Sequence, residues 1–564
     1  MDADSPVCST RACELTGAIT CRILPAMTAN PQTSRAHDHR GGWLAGLAAA
    51  LMTGALLLLL AYTQSFHFMP LAALWQPLGV AVAVALGVWC LLLALTRSPA
   101  EAGVVSVALL LFNHALHAPL FGWLQYAARW PAPLDSWRLL PVLLASLPGV
   151  ALLAWGFWLG RHRPAWCPAI LRPLNLFLAA NLLFAASRLA VLEWRRPRAR
   201  ALFPPLAGGP FPTPPPETLP TIVHLVLDGF ASDEVLATRY GTNTAPLTGS
   251  LKALGFHVVP RARSNYIQTA LSLASTLNLG YLRVLPELRR HYDRTPLLRQ
   301  IQSSQAVARL RAAGYEIVNF PSGYDFTDEI GADVRVAPRV FNELAANQWE
   351  RSWIGTLAGG GRGEAANHVR RIETVFRELP GLCARSARPR YIFAHVVAPH
   401  PPFLFDEQGP RREPVAFDLM DGSHRVGLDG AGQAAYRAAY LAQLRYIAAA
   451  TEDVMRRLLA TASRPLVILL HADHGPGSGL RWESREASDV GERLGILCAL
   501  RFPDGDYADI PDDLSPVNLF RIVFNRYLGT RYPLLPDQSY FTRWRRPYRL
   551  EPVDFQSEPS DGSD

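Results

Sequence analysis

Two different patterns of apolar and polar positions divide the chain at about residue 200. Before that point, long apolar stretches alternate with short polar breaks. The stretches 43–64 and 70–96 carry no charged residue, and each is long enough to cross a hydrocarbon layer of about 30 Å as a helix. Similar stretches follow at 102–124, 139–160 and about 169–187. The pattern therefore predicts an all-α membrane block of about five transmembrane helices at 41–194, and it disfavours a buried helical core.

Beyond residue 220 the apolar runs are short, and they alternate with amphipathic helical patterns. Five runs are typical of buried strands: 221–230, 315–322, 391–400, 465–475 and 494–503. Helical patterns lie between them at 303–314 and 432–460. This alternation predicts a C-terminal α/β domain, 221–545, built on a doubly wound, mostly parallel sheet.

The segments that flank these two parts are polar or rich in proline. Residues 1–40 are predicted to be a disordered tail, in which Met27 is a plausible alternative start, and 546–564 a second tail. The linker 195–220 opens with the basic run "RRPRAR", interpreted as a solvated stop segment after the last span. Its prolines predict a stiff, extended spacer that holds the following domain off a membrane.

Charge and cysteine content limit the partners that the chain could bind. The net charge of +8 comes almost wholly from arginine, with Lys252 the single lysine, which suggests a GC-rich bacterial coding sequence. No stripe alternates basic with aromatic residues, so a nucleic-acid partner is not expected. The domain holds only Cys383 and Cys498, which allow one disulfide at most, and whether they pair is left open.

The distribution of arginine between short loops predicts the orientation of the block. The loops on one side carry Arg35, Arg40, Arg97, Arg161 and Arg163, whereas the other side carries Arg129 and Arg138. The richer side is expected to be cytoplasmic. An odd number of spans then places the domain on the periplasmic side of a multi-pass protein of the bacterial inner membrane.

Carboxylate and imidazole side chains follow three of the predicted strands, at the point where each strand ends. Asp228 follows the first, Asp473 and His474 follow the run 465–475, and His395 and His400 flank the end of 391–400. The carboxyl ends of parallel strands meet at one edge of a sheet, which is where reactive groups of such sheets lie. A mixed set of oxygen and nitrogen ligands predicts a site for a divalent transition metal.

A metal site with an open face needs a nucleophile, and the segment 263–282 supplies hydroxyls at the start of a predicted helix. Thr269 comes first, and a hydroxyl at a helix N-terminus meets backbone N–H groups that attract phosphate or sulfate. A metal-bound hydroxyl also loses its proton more readily. Ser272 and Ser275 are interpreted as capping or helix-face hydroxyls, and His471 as a residue behind the site or one that is simply buried.

Four motifs occur in the order "HLVLDGF", "NYIQTALSLASTLN", "HVVAPHPPF" and "LLHADHGPGS". Together with the membrane block, they resemble the sulfatase-like branch of the alkaline phosphatase superfamily, in its membrane-bound form. Members of that form include lipoteichoic acid synthases and phosphoglycerol or phosphoethanolamine transferases. The resemblance implies that Thr269 is a metal-bound nucleophile that forms a phosphothreonine. It also implies that Asp228, Asp473 and His474 are metal ligands, and that His400 and His395 bind the phosphoryl group or protonate the leaving group.

Some family features are missing. The chain has no Cys or Ser in the C/S-x-P-x-R pattern of true sulfatases, which makes sulfate-ester hydrolysis by that route improbable. No histidine follows His474, so one divalent ion (Mn, Zn or Mg) is expected rather than two. Asp228 stands where the membrane-bound synthases have a glutamate, which leaves the subgroup open.

The function predicted from the sequence is a membrane-anchored, metal-dependent phosphoester transferase or hydrolase that acts on lipid-linked or envelope glycan substrates. The alternative is a catalytically silent scaffold of the same fold in envelope or polysaccharide assembly. A transporter built on the spans has little support, since His114 and His117 are the only ionisable groups well inside a span. The group transferred, its acceptor and the oligomeric state are left open.

Overall fold

The chain is described by a computed structural model. It covers residues 31–65, 69–117, 119–120, 139–196, 202–206, 214–283, 286–337, 348–349, 352–357, 362–384, 388–411, 419–426 and 430–555.

The first part of the chain is helical. Its helices are α1 (Pro31–Ser65), α2 (Trp75–Thr96), α3 (Pro99–Leu111, continued by a π-helical turn at Phe112–Leu116), α4 (Leu139–His162) and α5 (Trp166–Arg195). Within the described residues, four stretches are long and apolar enough to cross a membrane: Gly42–Gln64, Leu71–Thr96, Pro99–Leu116 and Trp166–Arg195. The prediction of about five spans is thus met by four.

The fifth predicted span, 139–160, forms helix α4 but is not among these four. The side chains of residues 139–143 lie outside the described residues, and the described remainder of the predicted span, 144–160, is too short to count as a full span. Helix α1 begins at Pro31, within the segment predicted to be a disordered tail, whereas residues 1–30 lie outside the described residues.

Successive helices of the block run in opposite directions. A Cβ added at Gly46 would lie 2.1 Å from the carbonyl oxygen of Pro99, and one at Gly160 would lie 1.9 Å from the Glu101 side chain. The early part of α1, the start of α3 and the end of α4 therefore lie together at one end of the block. Large apolar side chains such as Leu176 (73% exposed) cover the outside of the helices, as a lipid-facing surface requires.

The second part of the chain is an α/β domain. Its helices are α6 (Asp233–Tyr240), α7 (Ala245–Ala253), α8 (Thr269–Leu277), α9 (Thr295–Gln302), α10 (Gln305–Ala312), α11 (Asp325–Asp328), α12 (Trp353–Leu357), α13 (Arg362–Ala384), α14 (Gly430–Thr461), α15 (Val490–Leu494) and α16 (Leu519–Tyr527). Its strands are β1 (Thr221–Leu227), β2 (His257–Val258), β3 (Glu316–Phe320), β4 (Val334–Arg335), β5 (Arg390–Val396), β6 (Phe405–Asp406), β7 (Gly409–Pro410), β8 (Leu466–His471), β9 (Cys498–Arg501), β10 (Ser539–Arg543) and β11 (Arg546–Val553).

Seven strands form the central sheet, in the order β2-β9-β8-β1-β5-β3-β4. The central strands β8, β1, β5, β3 and β4 pair in parallel, whereas β9 and β2 are antiparallel at one edge. Every residue of β1 and β8 is buried, as expected for strands covered on both faces. The predicted mostly parallel sheet is confirmed, and β1 lies in its centre between β5 and β8.

The two parts of the chain are in direct contact. Arg196, just after α5, is buried; its Nε lies 3.1 Å from Asp293 Oδ2 in the domain, and its Nη2 donates to the carbonyl oxygen of Met69. Trp353 Nε1 donates to Ser146 Oγ over 2.8 Å. The interpretation of the basic run as a solvated stop segment is therefore wrong for Arg196. Residues 197–201 and 207–213 of the predicted spacer lie outside the described residues.

These contacts also show which end of the helical block faces the domain. Met69 precedes α2, Ser146 lies early in α4, and Arg196 follows α5, so all three of these places face the domain. The backbone N–H of Ile354 donates to Asn113 Oδ1, which adds the end of α3. The domain therefore lies at the end of the block opposite to the early part of α1.

The structure also decides two smaller points, the end of the domain and the possible disulfide. The predicted boundary at 545 falls between β10 and β11, which pair as an antiparallel hairpin, so the fold continues to Val553 rather than ending in a tail. Cys383 and Cys498 are both buried and both free, so the possible disulfide is not formed.

Candidate active site

The end of β1 is joined by hydrogen bonds to the segment that follows β5. The Asp228 backbone N–H donates to the carbonyl oxygen of Val396 over 2.9 Å, and the His400 N–H donates to the Asp228 carbonyl oxygen over 2.9 Å. Gly229 adopts a φ of +77°, which other residues rarely adopt, and its Cα lies against the His400 backbone. The turn brings the Asp228 carboxylate and the His400 imidazole to the same place.

The end of β8 is held from two sides. Ser264 and Ser272 both donate to the carbonyl oxygen of Asp473, Ser272 over 2.6 Å. A Cβ at Gly475 would lie 2.2 Å from the carbonyl oxygen of Glu492, so only glycine fits there. Ser272 is therefore not a simple helix-face hydroxyl, because it fixes the strand end that carries Asp473 and His474.

Thr269 is the first residue of helix α8, and Gln268 is its N-cap. Its side chain is half-buried, whereas Gln268 and Ala270 are buried, so its hydroxyl is the accessible one of the helix start. Thr269 Oγ1 lies 3.1 Å from His474 Nε2. Ser275 points elsewhere and donates to the carbonyl oxygen of Gly280, as a helix-packing hydroxyl would.

The hydrogen bonds of three histidines turn the same ring nitrogen toward one centre. His474 Nδ1 lies 3.0 Å from the carbonyl oxygen of Gly475, and His400 Nδ1 lies 2.7 Å from that of Pro401. A carbonyl can only accept, so each Nδ1 carries the proton and each Nε2 keeps a lone pair. His395 Nδ1 is bonded to Thr327 Oγ1 at 3.0 Å, which again leaves Nε2 facing inward.

The predicted site residues thus come together as one group, the strand-end cluster, whose members are Asp228, Thr269, His395, His400, Asp473 and His474. Two overlapping sets of potential metal ligands occur in it, each with ligand atoms within 4.8 Å of one another: Asp228 with His400 and His474, and Asp228 with His395 and Asp473. The described part of the chain therefore contains a possible metal site. The histidines predicted to bind substrate, His395 and His400, are also placed as possible ligands.

The donor atoms of the strand-end cluster fit a divalent cation. Within the described residues, Asp228 Oδ1, Asp473 Oδ2 and His395 Nε2 are buried and have no hydrogen-bond partner. Buried polar atoms are nearly always paired, because an unpaired one costs about 1–3 kcal/mol. Two carboxylates and an imidazole nitrogen that face each other are suitable ligands for zinc or manganese.

Titration behaviour follows from burial and from the close approach of charges. Burial and the neighbouring Asp228 carboxylate raise the pKa of Asp473 to about 7. Burial alone would raise the pKa of Asp228, but His400 and the other imidazoles around it hold that pKa below its ordinary value. Burial, with the Arg493 guanidinium nearby, lowers the pKa of His474 to about 3. His474 is thus neutral at pH 7, as a metal ligand must be.

His471 lies behind the strand-end cluster, in a chain of hydrogen bonds that crosses the sheet. Its Nδ1 bonds the carbonyl oxygen of Ala472, its Nε2 lies 2.8 Å from His224 Nε2, and His224 Nδ1 lies 2.9 Å from the Tyr391 hydroxyl. Because the Ala472 carbonyl can only accept, the donors must run from Tyr391 through His224 to His471. The chain fixes the backbone just before Asp473, so His471 is a supporting residue.

A buried ion pair that the sequence analysis missed borders the cluster. Arg493 Nη1 lies 2.5 Å from Asp421 Oδ2, and Arg493 Nη2 lies 3.0 Å from His474 Nε2. Tyr436 donates to Asp421 Oδ1 over 2.7 Å, and His400 Nε2 lies 3.7 Å from Asp421 Oδ2. Neither residue stood out, because Asp421 lies in an irregular segment and Arg493 is one arginine among many.

The cluster opens into a cleft of about 290 Å³. Three rings from distant parts of the chain form one side of this cleft; His424, Trp482 and Trp544 are named here the aromatic wall. Their centroids are 5.0 Å apart for Trp482 and Trp544, 5.8 Å for His424 and Trp482, and 5.2 Å for His424 and Trp544. The sequence analysis missed these residues too.

Comparison with solved structures finds matches at low identity and low TM-score. The C-terminal periplasmic domain of EcEptC from Escherichia coli, in complex with Zn, is 13% identical, with a TM-score of 0.42 over 64% of this chain and 98% of that one. The integral membrane protein lipooligosaccharide phosphoethanolamine transferase A from Neisseria meningitidis is 14% identical, with a TM-score of 0.35 over 85% of this chain and 94% of that one. The phosphonate monoester hydrolase of Agrobacterium radiobacter is 13% identical, with a TM-score of 0.39 over 57% of this chain and 80% of that one.

Sequence comparison gives a clearer result. No curated protein matches the chain. The Sulfatase family model matches residues 220–491, the segment that runs from the start of β1 to α15 and contains every residue of the strand-end cluster. The resemblance read from the four motifs is confirmed: beyond its membrane block, the chain carries a segment that matches the Sulfatase family model.

Proposed function

We propose that this chain is a membrane-anchored, metal-dependent phosphoester transferase or hydrolase that acts through a covalent intermediate on Thr269. The observation that carries the proposal is that three potential ligand atoms, Asp228 Oδ1, Asp473 Oδ2 and His395 Nε2, are buried without a hydrogen bond beside one accessible hydroxyl. A silent scaffold has no need to bury such atoms without partners.

Asp228, Asp473 and His474 would hold the cation together with the Thr269 oxygen. Bound there, a divalent ion supplies positive charge for a phosphate oxygen and lowers the pKa of a neighbouring hydroxyl. The start of helix α8 adds backbone N–H groups that favour an anion at the same place.

The chain's own residues account for the remaining chemistry. The Thr269 oxygen attacks phosphorus and loses its proton, and the bond from phosphorus to the leaving oxygen breaks as that oxygen takes up a proton. His400 is placed to relay this proton: the lone pair of its Nε2, which faces the cleft beside Asp421, can take the proton from Thr269 and pass it to the leaving oxygen. A second attack on phosphorus, by water or by an acceptor hydroxyl, then releases Thr269. Whether water or a hydroxyl attacks decides between hydrolysis and transfer.

Membrane lipids or envelope glycans are the proposed substrates, and the periplasmic side of the bacterial inner membrane is the proposed location. The direct contact between block and domain supports this, because it holds the cleft close to the bilayer. Protease treatment of intact spheroplasts tests the location: cleavage within the domain is expected, and its full protection would place the domain in the cytoplasm.

The intermediate is tested on the full chain in detergent, with zinc or manganese added and methyl p-nitrophenyl phosphate as donor. Release of p-nitrophenolate leaves a methylphosphoryl group, which peptide mass analysis should find on Thr269 within residues 264–282. The Thr269→Ala variant should give no adduct, and elemental analysis should find one metal per chain. An adduct on Ser272 would show that Thr269 is not the nucleophile. A chain that binds no metal and forms no adduct would support the alternative of a catalytically silent scaffold.

A further inference from the structure

A short segment of the domain lies against the membrane block. It consists of residues 348–349 and 352–357, the latter including helix α12, and is named here the roof segment. Ser352 Oγ donates to the carbonyl oxygen of Trp349 over 2.7 Å, so the two pieces lie close together. Trp353 donates to Ser146 in α4, and its ring centroid lies 5.4 Å from that of Phe112 at the end of α3. The roof segment therefore contacts two helices of the block.

Together with α1, α2 and α3, the roof segment encloses a groove of about 110 Å³. The walls of this groove include Gly54 of α1 and Val80 of α2. At 1.5 Å per residue, Gly54 lies about 15 Å along α1 from Gln64, where the span ends on the side of the domain. Val80 lies at a similar depth along α2 from Leu71. A hydrocarbon core is about 30 Å thick, so the groove extends about halfway into it.

The surface of the groove is apolar and continues onto the outside of the block. The described residues that line it include no aspartate, glutamate, lysine or arginine. Val80 and Val84 are both exposed on α2, on a surface that faces lipid. In the roof segment, Trp349 is 46% exposed and Ile354 is 47% exposed. Water is a poor solvent for such side chains, whereas tryptophan is enriched where hydrocarbon meets headgroups.

Polar groups at the start of α12 are paired in the way that a lipid environment requires. The first N–H groups of a helix have no partner within the helix, and no water replaces that partner inside a bilayer. Here the Ile354 N–H donates to Asn113 Oδ1 over 3.1 Å, and the Gly355 N–H donates to Ser352 Oγ over 2.9 Å. Both acceptors belong to the protein. The start of this helix can therefore lie in lipid without losing hydrogen bonds to water.

From these observations we infer that the roof segment is inserted into the leaflet nearest to the domain, where Trp349 and Ile354 contact the acyl chains of membrane lipids. The partner is the lipid surface itself and not a substrate, since the groove and the catalytic cleft share no lining residue among those described. The domain thus has its own contact with the bilayer, in addition to the helices that precede it. This inference is independent of the proposed function and of the role of Thr269.

The inference is tested on the full chain in bacterial membranes, with the photoreactive residue p-benzoylphenylalanine in place of Trp349 or of Ile354. Both side chains are exposed, so the substitution leaves the core intact. Irradiation joins the benzophenone to a nearby C–H bond, and peptide mass analysis should find a phospholipid added at each position. Alkaline cleavage of the lipid esters should then leave a fatty acid on the peptide, because the bond is made to an acyl chain.

Two further positions serve as controls. Leu176, on the lipid-facing side of α5, should give the same fatty-acid adduct. Thr461 is exposed at the end of α14, just before β8 begins and hence at the end of the sheet opposite to the cleft, and it should give no lipid adduct.

Three results would overturn the inference. One is a lipid adduct at Leu176 with none at Trp349 and Ile354. Another is a glycerophosphate left on the peptide in place of a fatty acid, which would place the roof segment among the headgroups. The third is a crosslink between two copies of the chain, which would make this surface a protein interface.

Discussion

The strand-end cluster and the aromatic wall lie on the same cleft but are built in opposite ways. Except for Thr269 at the start of α8, the cluster consists of buried side chains held at the ends of β1, β5 and β8, in the centre of the sheet. The wall consists of three rings from an irregular segment, a loop and the turn of a hairpin. Chemistry is therefore expected to depend on the rigid part, and selection of the substrate on the part that the sheet does not dictate.

The largest effect is expected at Thr269, the proposed nucleophile of the cluster. Thr269→Ala should lower turnover at least about 10³-fold, or about 4 kcal/mol of transition-state stabilisation, since under the proposed function it removes both covalent catalysis and a metal ligand. Thr269→Ser should keep partial activity because its hydroxyl survives. The measurement is the initial rate with methyl p-nitrophenyl phosphate.

Ser275→Ala is the matched control on the same helix. It should change the rate by less than about tenfold, because this hydroxyl only donates to Gly280. A Thr269→Ala variant with normal turnover would move the nucleophile elsewhere.

The next effect concerns the ion pair that joins cluster and wall. Asp421→Asn leaves Arg493 buried without a charged partner, and losing one member of a buried pair costs about 3–5 kcal/mol of unfolding free energy. Arg493 lowers the pKa of Asp421 to about 2, although burial opposes this. The stabilisation is therefore complete above the ordinary carboxyl pKa and is lost as pH falls toward 2.

Urea unfolding of the unmodified protein and of the Asp421→Asn variant at pH 7 measures the difference in unfolding free energy. Asp453→Asn is the control, since its pair with Arg457 is exposed and should contribute less than about 1 kcal/mol. Equal losses in both variants would mean that the buried pair has no special role.

A smaller effect is expected from pH on metal binding. Because its pKa is raised to about 7, Asp473 holds a proton in the metal-free fold below that pH. A cation must displace this proton, so affinity should fall about tenfold per pH unit below 7 and level off above it. The ionised form is the disfavoured one in the fold, so the metal-free chain should also lose stability as pH rises toward 7.

Calorimetry of zinc binding in two buffers of different ionisation enthalpy counts the proton. About one proton should be released at pH 6 and almost none at pH 8. Release that does not depend on pH would show that another group controls the site.

The smallest effect lies in the sheet behind the cluster. Cys498 on β9 lies opposite His471 on β8 in the sheet register. Mainly because it is buried, the pKa of its thiol is raised to about 12. Burial likewise raises the pKa of Cys383 to about 12. Neither thiol should react with iodoacetamide at pH 8 until the chain unfolds, and mass analysis should find no disulfide between them. Rapid labelling of Cys498 in the folded chain would show that the sheet edge opens.

The sequence predicted the cluster because its residues follow regular elements. Five apolar runs located β1, β3, β5, β8 and β9 closely, and the rule on carboxyl ends then placed Asp228, Asp473 and His474 together. Ser272 was misread, since its periodicity shows a helix face but not that Asp473 lies opposite it. The wall could not be predicted, because no period links residues 424, 482 and 544, and the last was assigned to the end of the domain.

The contact of Arg196 with Asp293 fixes where the cleft lies relative to α5, the last helix of the membrane block. Asp293 precedes Arg294, which lines the cleft, so one ion pair and one peptide bond connect the residue after α5 to the lining of the cleft. In the proposed membrane location, a cleft held in this way would stay at one distance from the bilayer. Molecules that diffuse laterally in the same leaflet meet it by a two-dimensional search, whereas soluble molecules must find it from the bulk. The ion pair would thus hold the cleft at one height above the membrane, and substrates would be selected by the height at which their head groups lie.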